Sequence, residues 1–179
     1  YNILKSLERE WDKRSETTTE KQLTLLGQIL FVSIMIGCFM VYLALFRYDY
    51  YQKKSSLSLL FFLIIFFPII TSVIVSNNLF SVYAVPFAML PMIIRIFLDS
   101  RTAFMAHIVS IMLCSILLRT PHEFILLQTV AGIVGIHSLR ELSQRSQLMR
   151  SALFIFMSYS LTYLSLDLIH VGEIKQLST

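Results

Sequence analysis

Residues 57–75 read LSLLFFLIIFFPIITSVIV and contain no charged side chain. The hydrocarbon core of a bilayer is about 30 Å thick, and a helix needs roughly 20 apolar residues to cross it. This stretch therefore predicts a transmembrane helix. Similar apolar runs on both sides of it predict an all-α fold, a polytopic transmembrane helix bundle with six spans in this chain. The predicted spans are 25–46, 57–75, 79–98, 103–118, 122–139 and 152–170.

The composition agrees with a location in lipid. Hydrophobic residues make up 56% of the chain and charged residues 15%, a balance that would leave a soluble domain with more apolar surface than it could bury. The net charge of +4 is not gathered in one patch, so no nucleic-acid partner is predicted. Cys38 and Cys114 fall inside apolar spans and are interpreted as packing residues, without a disulfide.

Basic side chains concentrate in alternate gaps between the spans. Such loops stay cytoplasmic, so loops 47–56, 99–102 and 140–151 are expected in the cytoplasm, and residues 1–22 and the C-terminal end outside. The basic residues in or beside these loops are Arg47, Lys53, Lys54, Arg95, Arg101, Arg140, Arg145 and Arg150.

The two ends of the chain predict a fragment of a larger protein. Residues 1–22 hold five basic and five acidic side chains and are expected to be the helical tail of an external domain, a short amphipathic helix. Residues 23–170 are assigned to the bundle, and 171–179 to an external loop that leads to a further span. The chain has no initiator Met and no signal peptide. The apolar face of the short helix would hold Ile3, Leu4, Leu7 and Trp11.

Small and hydroxyl residues at helical spacing mark where membrane helices approach each other closely. Packing is the favoured role for these faces, and lining a cavity or ligand path is the alternative. The predicted faces are Ser33, Gly37, Met40 and Ala44 in the first span, Ala103, His107, Ser110 and Cys114 in the fourth, Gln128, Ala131, Gly132 and Gly135 in the fifth, and Ser158, Thr162 and Ser165 in the sixth.

Prolines interrupt two of the spans. Pro86 and Pro91 would free the carbonyls of Val82 and Phe87, so we expect the third span to kink. Pro68 predicts the same in the second span. The kinks either shape the bundle or form a hinge that transmits motion.

Charged and titratable side chains inside the spans are the candidate site residues. Arg95 and Asp99 lie four residues apart at a predicted cytoplasmic end, where they could pair with each other and form a latch with Arg101. The alternative is a part in signal transmission or ligand contact. His107 is interpreted as a hydrogen-bonded structural residue, in preference to a metal ligand or proton relay.

The loop that holds Arg140, Arg145 and Arg150 is expected to fix the topology, or else to bind anionic lipid headgroups or dock a cytoplasmic domain. No zinc-protease motif follows His122, and the sequence contains no Walker loop and no Cys-x-x-Cys. We therefore expect no catalytic, cofactor or metal site in this chain.

Two stretches carry a family resemblance. Residues 85–104, VPFAMLPMIIRIFLDSRTAF, resemble the Pro-rich span and Leu-Asp-x-Arg turn of the seven-transmembrane HD family. Residues 131–150 resemble its Gly-containing helix and Arg-Ser-rich cytoplasmic loop, and Tyr1 to Trp11 resemble the end of its external domain. These motifs are helix and turn patterns, and the resemblance extends over essentially the whole chain.

The resemblance implies an architecture and an activity for the parent protein. Members of the family carry an external sensor-like domain, a seven-span bundle and a cytoplasmic HD phosphohydrolase that hydrolyses cyclic di-AMP and uses a divalent metal. This chain would be the bundle without its last span, in a bacterial cytoplasmic membrane. Its partners would be the bilayer and the parent's own external and HD domains, with homo-oligomerisation left open. No catalytic residue carries over, so the fragment itself would not be an enzyme.

The main rival is a small-solute transporter or channel built around the third span and the face of His107, Ser110 and Cys114. Transporters often contain internal repeats with paired broken helices. The two halves of this chain show no convincing repeat, which favours the HD-family interpretation. An intramembrane enzyme is the third alternative, and it lacks a matched nucleophile and base.

Overall fold

The computed structural model describes the backbone of residues 2–77, 81–118, 120–139 and 145–177, and the side chains of 20–77, 81–118, 120–139 and 149–169. These parts of the chain are helical and contain no strand, which confirms the all-α prediction. The helices are α1 (Asn2–Phe46), α2 (Tyr48–Gln52), α3 (Lys54–Asn77), α4 (Met89–Phe97), α5 (Ser100–Ser115), α6 (Pro121–Ser138) and α7 (Arg145–Leu177), and a 3₁₀ turn forms at Val82–Ala84.

Helices α1, α3, α5, α6 and α7 overlap predicted spans, and α4 covers only the second half of the third. Within the described residues, three segments are long and apolar enough to cross a membrane, namely Glu20–Phe46, Lys54–Asn77 and Met149–Ile169. Val82–Phe97 is a shorter apolar segment. The predicted fourth and fifth spans coincide with α5 and α6. Long apolar helices joined by short connections form a transmembrane bundle.

The chain divides into two compact units, Tyr1–Cys38 and Phe39–Thr179. The first unit consists of the N-terminal part of α1, and the predicted apolar face of Ile3, Leu4, Leu7 and Trp11 lies outside the described side chains. The predicted boundaries at residues 22 and 170 remain predictions.

In the second unit, α6 packs against α4, α5 and α7, while α5 also packs against α3 and α4. The predicted faces of α5 and α6 are buried at all eight positions. The prediction for α1 is wrong within the second unit, because Phe39 and Leu43 are buried while Ala44 is exposed. In α7, Ser158 and Thr162 are half-buried and Ser165 is exposed.

The third span differs from the predicted kinked helix. Pro86 lies in an irregular connection between the 3₁₀ turn and α4. The carbonyls of Val82 and Phe87, which were expected to be free, both accept hydrogen bonds. The Val82 carbonyl accepts from the Val85 N–H at 3.1 Å, and the Phe87 carbonyl accepts from the Leu90 N–H at 3.1 Å. Pro91 is in the first turn of α4, where its missing N–H breaks no helical bond. The prolines thus determine where α4 begins, whereas Pro68 lies inside the continuous α3.

The irregular connection places Phe87 in the centre of the second unit. Its ring lies 5.3 Å from that of Phe67 on α3 and 5.1 Å from that of Phe124 on α6, measured between centroids. Phe87 is only 1% exposed. A segment without regular helix is therefore held by aromatic packing on two neighbouring helices.

We expect Phe87→Ala to lower the free energy of unfolding by about 2 to 4 kcal/mol, because it leaves a cavity between two aromatic rings. Unfolding by sodium dodecyl sulfate in mixed micelles measures this change. Phe62→Ala is the matched control, since Phe62 is 63% exposed, and it should change stability by less than about 0.5 kcal/mol. Equal losses in the two variants would contradict a central role for Phe87.

Candidate functional site

Asp99 organises the junction between α4 and α5. Its backbone is extended and its Oδ2 accepts hydrogen bonds from the backbone N–H groups of Arg101 at 3.1 Å and Thr102 at 3.4 Å. This is the geometry of a helix N-cap, which satisfies N–H groups that have no partner inside the helix. Asp99 therefore fixes the start of α5.

The same oxygen of Asp99 forms a long-range ion pair. Arg47, between α1 and α2, donates from Nη2 to Asp99 Oδ2 at 2.7 Å. The two side chains are 31% and 24% exposed, so solvent screens the pair only in part. It ties the end of the first membrane helix to the α4–α5 junction, 52 residues away.

Tyr50 on α2 belongs to the same junction. Burial, followed by the nearby Asp99 carboxylate, raises the pKa of the Tyr50 phenol above its ordinary value. A tyrosine phenol is already protonated at neutral pH, and the upward shift of its pKa keeps it so, which means that it adds no second negative charge beside Asp99. Asp99 thus faces one cation and one neutral phenol.

The predicted pairing of Arg95 with Asp99 is wrong. Arg95 Nη1 donates instead to the Ile136 carbonyl, near the end of α6. Helix α4 ends at Phe97, and Leu98 with φ −128° and ψ −115° turns the chain away from the helical path. Asp99 therefore does not share a helical face with Arg95, contrary to the prediction from their four-residue spacing. Arg101 contributes its backbone N–H to Asp99, and its side chain is exposed.

His107 is fully buried in α5 and contacts α6. Its Nε2 lies 2.9 Å from the carbonyl oxygen of Gln128. Because a carbonyl can only accept, Nε2 carries the proton in this contact. Nδ1 is buried and has no hydrogen-bond partner among the described residues. The geometry agrees with the structural role expected for His107.

Gly132 provides the space that His107 occupies. A Cβ added at Gly132 would lie 2.0 Å from His107 Nε2, far inside van der Waals contact. At Gly135 the nearest atom to an added Cβ would be Met92 Cγ, at 3.4 Å. Glycine is thus required at 132 by the imidazole, whereas 135 has room for a methyl group.

A second set of polar contacts lies around the N-terminal half of α6. The hydroxyls of Tyr83 and Thr120 are 3.0 Å apart, and the Tyr159 hydroxyl donates to the Tyr83 carbonyl at 3.1 Å. Gln128 Nε2 donates to the Tyr159 hydroxyl at 3.5 Å. These bonds connect the 3₁₀ turn, α6 and α7.

The sequence identified Arg95, Asp99, Arg101, His107 and Gly132, but it did not identify Arg47 as the partner of Asp99 or the contacts of Tyr83 and Tyr159. Arg47 was visible as a basic residue directly after the first span, on the predicted side of Asp99. Tyr83 and Tyr159 gave no pattern that separates them from other aromatic residues.

Three further arginines were predicted in the loop after the fifth span. Arg140 lies outside the described residues, as does the side chain of Arg145, and Arg150 is exposed on α7. In the described part of the chain, no three His, Cys, Asp or Glu side chains come close enough together to hold a metal ion.

The apolar helices form a multi-pass membrane domain. An ion pair connects them at one end and tyrosine hydroxyls connect them at the other. Residues 22–179 match the family model described as a 7TM receptor with intracellular HD hydrolase, and the chain belongs to that family. The predicted family is therefore confirmed. No curated protein and no solved structure matches the chain.

We expect Gly132→Ala to lower the free energy of unfolding by about 1 to 3 kcal/mol, because the methyl group overlaps His107. In a His107→Ala background the same change should cost less than about 0.5 kcal/mol, since the clash is gone. Gly135→Ala is the matched control and should stay within about 1 kcal/mol of the parent. An equal cost of Gly132→Ala in both backgrounds would rule out the clash.

The Arg47–Asp99 pair can be measured by a double-mutant cycle. Arg47→Gln and Asp99→Asn should show a coupling energy of about 0.5 to 1 kcal/mol that decreases with added salt. Lys53→Gln, at an exposed lysine, should show no coupling to Asp99→Asn. Asp99→Ala should cost about 1 kcal/mol more than Asp99→Asn, because only asparagine keeps the cap. A coupling energy of zero would contradict the ion pair.

Proposed function

We propose that this chain is the membrane-embedded anchoring and signal-coupling region of a bacterial HD-domain phosphodiesterase that hydrolyses cyclic di-AMP. The family match over residues 22–179 supports the proposal, because that family is described as a 7TM receptor with intracellular HD hydrolase. The substrate and a divalent metal in the HD domain come from the resemblance. The catalytic residues belong to that domain and not to this chain.

Contacts within the bundle support the orientation that such an enzyme needs. The Arg47–Asp99 pair brings together the gaps after the first and third spans, and Arg95 reaches the end of the fifth. These are the gaps that the basic residues predict to be cytoplasmic. The Tyr83–Thr120 contact joins the start of the third span to the gap after the fourth, both on the side predicted to be external. The HD domain would then follow a further crossing of the bacterial cytoplasmic membrane.

Signal coupling requires two arrangements of the bundle that an external input favours differently. Arg47 directly follows α1, the helix that leads from the predicted external tail. Its ion pair with Asp99 would pass a displacement of the end of α1 to the start of α5. Arg95 would extend this connection to α6 through the Ile136 carbonyl.

The first experiment is to express the parent gene beyond codon 179 and to reconstitute the full protein in nanodiscs. We expect one more apolar span followed by a His-Asp dyad, and metal-dependent hydrolysis of cyclic di-AMP that a chelator abolishes. A stop codon, further spans without an HD domain, or no hydrolysis would overturn the proposed activity.

Coupling is tested by comparing the full protein with a truncated form that begins at Glu20. Their hydrolysis rates should differ by about fivefold or more if the external part biases the bundle. Asp99→Asn should remove this difference and leave the rate of the truncated form within about twofold. Asp49→Asn, at an exposed residue of α2, is the matched control and should preserve the difference. If Asp99→Asn preserved it too, the ion pair would have no role in coupling.

A further inference from the structure

A large cavity lies at the end of the bundle where α4, α5 and α6 meet. Its volume is about 990 Å³, which is at the upper end of the range found for ligand-binding sites. Arg95 near the end of α4, Arg101 at the start of α5 and His137 at the end of α6 all line it. Three helices thus contribute nitrogen donors to one space.

The cavity carries uncompensated positive charge. No carboxylate lines it among the described residues, and the adjacent Asp99 is engaged by Arg47. Arg95 uses Nη1 for the Ile136 carbonyl, which leaves its other guanidinium N–H groups for a ligand. Arg101 is exposed, so its guanidinium is free to move toward a bound anion.

Apart from Tyr42 and Ser100, the rest of the wall is apolar. Phe104, Met105 and Ile133 line the same cavity. Met105 is 43% exposed and Ile133 38% exposed, so the apolar wall continues onto the outer surface of the bundle. In a membrane, that surface contacts acyl chains. A small inorganic anion would contact only the basic residues, whereas an amphipathic anion would contact both the basic residues and the apolar wall.

We propose that this cavity binds the phosphate of an anionic phospholipid, with the acyl chains along Met105 and Ile133. The guanidinium groups of Arg95 and Arg101 donate to the phosphate oxygens, in the geometry that suits arginine and phosphate. Basic pockets between membrane helices are an established setting for such headgroups. The distribution of basic residues predicts that this end of the bundle lies at the cytoplasmic leaflet.

Lipid binding by the purified, delipidated protein in an uncharged detergent tests the proposal. Native mass spectrometry with dioleoyl phosphatidylglycerol and dioleoyl phosphatidylcholine gives the two affinities. We expect phosphatidylglycerol to bind about tenfold more tightly. Arg101→Gln should weaken its binding about fivefold, which corresponds to the loss of one basic residue at a headgroup. Arg101 is exposed, so this variant should keep the fold.

Two further variants test whether binding depends on the position of the charge and whether it requires the apolar wall. Arg150→Gln makes the same substitution at an exposed arginine that does not line the cavity, and it should change binding by less than about twofold. Ile133→Trp fills the apolar wall without changing the charge, and it should also weaken phosphatidylglycerol binding.

Three results would overturn the proposal. Phosphatidylcholine could bind as tightly as phosphatidylglycerol, or Arg150→Gln could weaken binding as much as Arg101→Gln does. Glycerol 3-phosphate or inorganic phosphate could also displace the lipid at equal concentration. The last result would identify a site for a soluble phosphate compound in place of a lipid.

Discussion

The separation of α5 and α6 is determined by an imidazole that lies against a backbone position without a side chain. His107 is fully buried, and its Nε2 occupies the space that a Cβ at Gly132 would need. Apolar contact gives little preference for one helix neighbour over another in lipid, so steric fit and hydrogen bonds define the packing. Helix α6 also contacts α4 and α7, so a shift of α6 at this contact would change its packing against those helices as well.

Much of the fold could be predicted because the decisive patterns are local. Apolar length gave the spans, and small residues at helical spacing gave the buried faces of α5 and α6. The third span could not be predicted in the same way. Whether Pro86 bends a helix or interrupts it depends on what surrounds it, and here Phe67 and Phe124 hold Phe87 in an irregular segment. Those neighbours are distant in sequence.

The residues of the candidate site could be predicted from the sequence, but the contacts that they make could not. Arg95, Asp99, His107 and Gly132 are conspicuous because polar groups and glycine are costly or unusual in an apolar helix. A four-residue spacing predicts a pair only while both residues share one helix, and α4 ends at Phe97. The true partner of Asp99 is far along the chain, as is the residue that faces Gly132. Spacing along a single helix contains no information about either.

The shortness of α4 has a consequence for how the protein enters the membrane. Nine residues of helix rise about 14 Å, less than half of the hydrocarbon core. In the 3₁₀ turn before α4, the Tyr83 carbonyl is paired with the Tyr159 hydroxyl on α7, a partner that lipid cannot replace. A segment this short gains less from entering lipid by itself than the long helix α3 does. The contacts of α4 with α5 and α6 favour insertion together with those helices, which makes the middle of this bundle one unit of biogenesis.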